Sequence, residues 1–288
     1  MAALAALAVP AAAQQPQRMR PPQVTALPHT EPYLRASYGF GPIQMGELRL
    51  PPGKGPFPVA VVIHGGCWTK GFAQMDNLSA LASALQARGF ATWNIEYRQL
   101  GEDGAGYPGT FQDWGLAVDH LRILAKTEPL DLKRVIAVGH SAGGHAALWL
   151  AARPGLPKDS PLRGEDPLPL KAAVDIDGPA DLQAVRPRQM GICGKPVADN
   201  LMGGDPATVP DRWRVGDPAQ RLPLHTHQLL VSSVVLTAAE ADAYAKAARA
   251  AGDTVDVLNL ENTGHHEPVA PGTPEWARVE AFIARALK

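Results

Sequence analysis

The sequence predicts an α/β fold with a mainly parallel sheet, and three observations carry that prediction. After residue 59, short apolar runs at 59–63, 91–97, 135–138, 171–177, 228–236 and 254–260 alternate with segments of helical character. Continuous apolar, β-branched runs suit strands buried on both faces, and strands that alternate with helices join through right-handed crossovers. One of these runs, Val135–Val138, turns through Gly139-His140-Ser141-Ala142-Gly143 straight into an Ala- and Leu-rich segment. Finally, 288 residues with 45% hydrophobic and 19% charged side chains suit a globular chain that buries a large core, and α/β sheets of this size are often one domain.

Residues 1–13 are an apolar run ending in Ala11-Ala12-Ala13 before Gln14. This is the pattern of the apolar core and A-x-A cleavage site of a secretory signal without its basic start. We read it as a signal-peptide remnant and expect a secreted or periplasmic protein. The run is too short to span a bilayer, so no stable membrane span is expected. Residues 14–33 are a Pro-rich leader, and residues 34–288 are the expected domain.

Within that domain, Leu34–Phe40 and Met45–Leu50 read as short strands separated by Gly41-Pro42. The run at 59–63 ends on His64-Gly65-Gly66-Cys67-Trp68. A helix capped by Asp76 and stopped by Gly89 carries Leu78, Leu81, Ala82 and Leu85 at helical spacing. The strand at 91–97 is followed by a Gly-rich loop and a helix from Thr110, with Ala117, Val118, Leu121 and Leu124 on one side. Residues 178–224 are rich in Pro, Gly and Asp and lack periodicity, so they form an insertion over the C-terminal strand ends, of the kind that builds lids. Helices at 238–251 and 273–287 complete the alternation.

Lys and Arg number 27 against 28 Asp and Glu, a net charge of -1, and no basic stripe invites a nucleic acid. Cys67 and Cys193 are the two cysteines. An oxidising compartment permits one disulfide between them, and two unconnected buried thiols is the equal alternative.

A serine on a sharp strand-to-helix turn is a nucleophile elbow, and Ser141 is the candidate nucleophile. Its hydroxyl needs a base, which in this chain order comes last. Asn262-Thr263-Gly264-His265-His266 follows the last strand, and His265 is the candidate base with His266 as runner-up. The oxyanion needs backbone N–H groups, for which Ala142, Gly65 and Gly66 are the candidates. His64 is expected to be a structural hydrogen-bonding group.

HGGCW, the NIEYR strand, YPGTFQDWGLAVDHL, GHSAGGHAALWLA and the late GHH together resemble the α/β-hydrolase superfamily, over roughly residues 45 to 287. More narrowly they resemble its esterase/lipase and arylformamidase-like (kynurenine formamidase-like) branch, which carries HGG-x-W. The resemblance implies an α/β-hydrolase fold with a sheet of about eight strands flanked by helices, and neither a metal nor an organic cofactor. It also implies a small-molecule acyl ester or N-formyl amide as substrate.

That branch places its acid after the strand at 228–236, in a stretch resembling G-x-x-D-x-x-V-P. Here the sequence reads SSVVLTAAEAD, with no Asp in the turn. Glu240 is the nearest carboxylate, although Thr237-Ala238-Ala239-Glu240 is a T-x-x-E capping box that would occupy it. Asp177 is the alternative, and Asp242 lies further into the helix. The expectation is therefore a serine hydrolase of small or medium acyl esters, with an arylformamidase-type amide hydrolase as its rival. A weak or inactive hydrolase-fold binding protein is the rival of another class, because losing the triad acid costs about ten-thousand-fold in turnover.

Overall fold

The computed structural model describes residues 18–286; the predicted signal remnant at 1–13 lies outside the described residues. In chain order the elements are α1 Pro21–Thr25, β1 Leu34–Ser37, β2 Met45–Arg49, β3 Phe57–Ile63, α2 Ser79–Ala87, β4 Ala91–Ile95, α3 Gly109–Asp119, α4 Leu121–Leu124, β5 Leu130–His140 and α5 Ala142–Ala152. There follow β6 Ala172–Ile176, α6 Leu182–Val185, α7 Gln189–Cys193, α8 Val197–Met202, α9 Pro210–Gly216, β7 His227–Ser232, α10 Ala238–Ala250, β8 Val255–Asn259 and α11 Pro274–Ala286. The eight strands form one sheet in the order β1-β2-β4-β3-β5-β6-β7-β8. β1 and β2 are antiparallel to their neighbours, and every pairing from β4 to β8 is parallel. This is the α/β-hydrolase fold.

Period-two alternation feeds two cores, one on each face of the sheet. On β3, Val59, Val61 and Ile63 point to the face that holds Trp93, Phe111, Trp114 and Trp149. Ala60 and Val62 point to the other, packed with Leu78, Leu81, Leu85, Trp276 and Phe282. Such strands are buried on both sides, which is why their sequence reads as unbroken apolar runs. Helix α5 is buried along its whole length, so its Ala- and Leu-rich sequence has no polar face.

Two features differ from the sequence expectation. The strand expected over 228–236 stops at Ser232, and residues 233–236 turn their N–H groups toward a side chain instead of a neighbouring strand. The leader is not separate from the domain either. Val24 on α1 is buried in the second core, and Asn77 Nδ2 donates to the Pro21 carbonyl at 3.1 Å and to Thr25 Oγ1 at 3.0 Å. The insertion at 178–224 is a set of short helices, α6 to α9, three of which border the pocket described next.

Candidate active site

Strand β5 delivers Ser141 into a left-handed backbone conformation, φ 55° and ψ -121°, from which α5 departs at once. A non-glycine residue pays strain there, and it is held because its surroundings leave no alternative. A Cβ at Gly139 would collide with the Gly143 carbonyl, and one at Gly143 with the Ile63 and His64 carbonyls. The Ser141 N–H donates to the Ile176 carbonyl at 2.9 Å, which pins the elbow to β6. Ala142 is the first residue of α5, so its N–H has no partner within the helix.

The carboxylate that meets His265 is Asp177. His265 Nδ1–H donates to Asp177 Oδ2 at 2.6 Å. Asp177 follows β6 in a left-handed conformation (φ 54°) and is fully buried. Its Oδ1 accepts the N–H groups of Ser233 at 3.0 Å, Val234 at 2.9 Å, Val235 at 3.0 Å and Leu236 at 2.9 Å. A buried carboxylate persists only when its charge is compensated this fully.

Glu240, the first choice from sequence, is corrected by this arrangement. Its Oε2 accepts the Thr237 N–H at 3.0 Å and the Thr237 hydroxyl at 2.7 Å, completing the capping box at the start of α10. Arg188 Nη2 takes up its remaining capacity at 2.6 Å. The local cap therefore claims the side chain, and the carboxylate within hydrogen-bond reach of His265 comes from the end of β6. Asp242 is exposed on α10.

The glycine turn after β3 divides its work among its residues. Gly65 is buried beneath the elbow, where a Cβ would stand 2.8 Å from Ser141 Cβ and 2.9 Å from the His140 carbonyl. Gly66 and Cys67 instead border the open cleft beside Ser141. Close packing beneath the elbow thus requires glycine at 65, and the turn reaches the cleft at Gly66 and Cys67. His64 anchors the turn, with Nε2–H donating to Glu96 at 2.7 Å, Nδ1–H to the Gly65 carbonyl at 2.8 Å, and its ring stacked on Tyr97 at 4.4 Å. Burial alone would raise the Glu96 carboxyl, but the His64 contact and the Met75 and Tyr97 N–H groups hold it below its usual value.

Two cavities meet at Ser141. One is an open cleft bordered by Pro21, Gly66, Phe72, His140, His265 and His266. The other is a narrow apolar pocket of about 20 Å³, walled by Trp68 and Ala142 on one side and by Val185, Ile192, Val197 and Ala198 of the insertion on the other. Cys67 and Cys193 are joined by a disulfide, with Cα atoms 6.1 Å apart, where these walls meet. Trp114, Trp149 and Trp213 are core residues, and Trp68 lines the pocket.

Sequence reasoning missed His140. It is buried, its Nε2–H donates to the carbonyl of His265 at 2.9 Å, and the two rings lie 4.4 Å apart. Burial, then the neighbouring His265 and His266, push its pKa well down, so it is a neutral donor. Its position inside the elbow motif was visible, but the partner 125 residues later was not. His266 is pushed down to about 4, by burial and then by His265. Among the described residues, no cluster of side chains could hold a metal and no helix is long and apolar enough to cross a membrane.

An elbow serine, a carboxylate-bound histidine and a glycine turn on adjoining strand ends define an α/β-hydrolase. The chain belongs to the BD-FAE family, an α/β-hydrolase-type esterase domain, which it matches over residues 47–228. Among solved structures it is similar to a truncated carbohydrate esterase from gut microbiota, at 19% identity and a TM-score of 0.72, covering 90% of this chain and 98% of that one. It is also similar to esterase B from Lactobacillus rhamnosis, at 20% identity and a TM-score of 0.73, covering 92% and 89%. A bacterial heroin esterase matches at 19% identity and a TM-score of 0.66, covering 85% and 80%. Comparison with curated proteins gave no match.

Proposed function

We propose that the chain is a serine hydrolase that cleaves small or medium carboxylic esters through an acyl-enzyme intermediate. The observation that carries this reading is His265, held by the buried Asp177, bordering the same cleft as the strained elbow Ser141. Ser141 Oγ attacks the ester carbonyl while its proton passes to His265 Nε2, and Asp177 holds the imidazole in the tautomer that can accept it. The negative charge on the tetrahedral oxygen is met by N–H groups of Ala142 and the Gly66–Cys67 turn. Collapse breaks the ester bond, and His265 returns the proton to the departing alcohol. Water then attacks the acyl-serine with His265 as base, releasing the acid and restoring Ser141.

The apolar pocket at Ser141 suits a short acyl chain, and the open cleft on the other side suits the alcohol. An N-formyl amide would leave the pocket empty, which favours the ester over the formamidase reading. The Asp177–His265 hydrogen bond supports the hydrolase reading over that of an inactive binding protein. A disulfide between the only two cysteines supports a secreted or periplasmic location.

The test is hydrolysis of p-nitrophenyl acetate and butyrate beside an aryl formamide. The reading expects ester cleavage that Ser141→Ala lowers by at least about a thousandfold. Equal rates in wild type and Ser141→Ala would contradict it.

A further inference from the structure

We propose that the Cys67–Cys193 disulfide is a specificity-determining and positioning element of this site, one that limits the acyl group to a short chain. The inference rests on the serine-esterase reading and extends it to a bond that the reaction itself does not use. Three observations carry it.

The first is placement. Cys67 lies on the glycine turn in a left-handed conformation, φ 52°, and borders both cavities at Ser141. Cys193 ends α7 and lines the acyl pocket, and its neighbour Ile192 borders both cavities as well. The bond therefore stands on the wall between the space for the acyl group and the space for the alcohol.

The second is what it joins. One pocket wall belongs to the catalytic frame, through Cys67, Trp68 and Ala142, and the other to the insertion, through Val185, Ile192, Val197 and Ala198. The disulfide ties these walls covalently across 126 residues of sequence.

The third is how the insertion is held. Helices α6, α7 and α8 have 4, 5 and 6 residues. Helices this short do not hold themselves in water. The segment is otherwise held by Leu182 of α6 and Val197, Leu201 and Met202 of α8, buried in the core, and by polar contacts of Arg188 with Glu240 and the Val235 carbonyl and of Gln189 with the Ala198 N–H. Those contacts anchor α6, α8 and the start of α7, while the disulfide ties the end of α7, at Cys193, to the turn beside Ser141. Releasing the bond lets α7 move outward and lengthens the pocket. It also frees the turn that carries the Cys67 N–H, so transition-state stabilisation weakens for every substrate.

The test compares kcat and KM for p-nitrophenyl esters from acetate to decanoate in oxidised wild type, Cys193→Ser and Ile192→Ala. Cys193→Ser removes the tie but keeps Cys67 and its N–H. Ile192→Ala keeps the tie and shortens one wall. The expected result for Cys193→Ser is a rise of about tenfold in the kcat/KM ratio of octanoate to acetate, with a fall in kcat on acetate. Ile192→Ala is expected to shift the ratio the same way through pocket length alone, so a larger fall in kcat on acetate in Cys193→Ser than in Ile192→Ala separates the turn from pocket length. If Cys193→Ser does not fold, reduction of the folded wild type by excess dithiol makes the same comparison. The dithiol is oxidised to its cyclic disulfide as the protein bond becomes two thiols. A short-chain preference unchanged after Cys193→Ser or reduction, in protein that keeps its circular dichroism spectrum, overturns the inference. Wild type that cleaves no ester at all is a different result, and it removes the esterase reading together with the inference.

Discussion

His265 is bound at 2.6 Å by Asp177, a carboxylate that leaves the end of β6 and is held by four consecutive N–H groups from the turn after β7. The acid is thus on one strand and its hydrogen-bonding cradle on the next. Asp177→Asn is expected to lower kcat by about ten-thousand-fold, because an amide at that position favours the wrong tautomer of His265. Glu240→Ala is expected to leave kcat near wild type and to cost about 1 kcal/mol of stability through the lost cap. Steady-state kinetics and urea melts on both variants separate the two roles. An inactive Glu240→Ala beside an active Asp177→Asn would reverse the assignment.

His140 positions His265 from behind through its carbonyl. His140→Phe keeps a ring in the stack but removes the donor, leaving that carbonyl short of one hydrogen bond. The expected effect is a fall in kcat on the order of tenfold with little change in KM. Stopped-flow acylation and steady-state rates check it, and an unchanged kcat would show that the loop holds itself.

Stability is expected to depend on pH through Asp217 and His145, with opposite signs. Burial, then the nearby Asp181, raises the Asp217 carboxyl to about 7. The folded chain therefore keeps a proton that the unfolded chain loses near 3.8, so this contribution is full below 3.8 and is lost as pH rises through about 7. Burial pushes His145 down to about 4 from 6.5, so its contribution is present above 6.5 and is lost as pH falls toward 4. Asp217→Asn is expected to stabilise the protein at pH 8 on the order of 3 kcal/mol and to change little near pH 4. Urea melts at the two pH values check this, and equal effects at both would contradict it.

The leader segment walls the cleft. Pro21 borders it, and the Met19 N–H donates to Glu267, two residues past His265, at 2.8 Å. Removing residues 1–26 is expected to cost about 2 kcal/mol, chiefly from exposing the site of Val24. It is also expected to change KM for bulky alcohols more than for methanol esters. A truncated protein with unchanged stability and KM would show the segment to be dispensable.

Much of the site is legible in the sequence because it is local. The elbow is one pentapeptide between a strand and a helix, the glycine turn follows a strand directly, and the capping box at Thr237 and Glu240 fits within four residues. The acid is not local. Residues 233–236 read as strand because they are apolar, and their true partner is a side chain 56 to 59 residues earlier. The available signal was Asp177-Gly178 after the buried run AAVDI, an acid at a strand end before a residue that turns easily. The leader misleads in the same way, since its Pro-rich composition hides Val24 and Pro21, whose burial depends on α2 and the histidine loop.

The central claim is that Ser141 becomes covalently acylated, and intact-mass and peptide mapping after treatment with a fluorophosphonate test it most directly. The account predicts one adduct, on the peptide that carries Ser141, formed in step with loss of esterase activity and absent from Ser141→Ala. Folded protein that keeps its activity with Ser141 unmodified, or that carries the adduct on another residue, would contradict it.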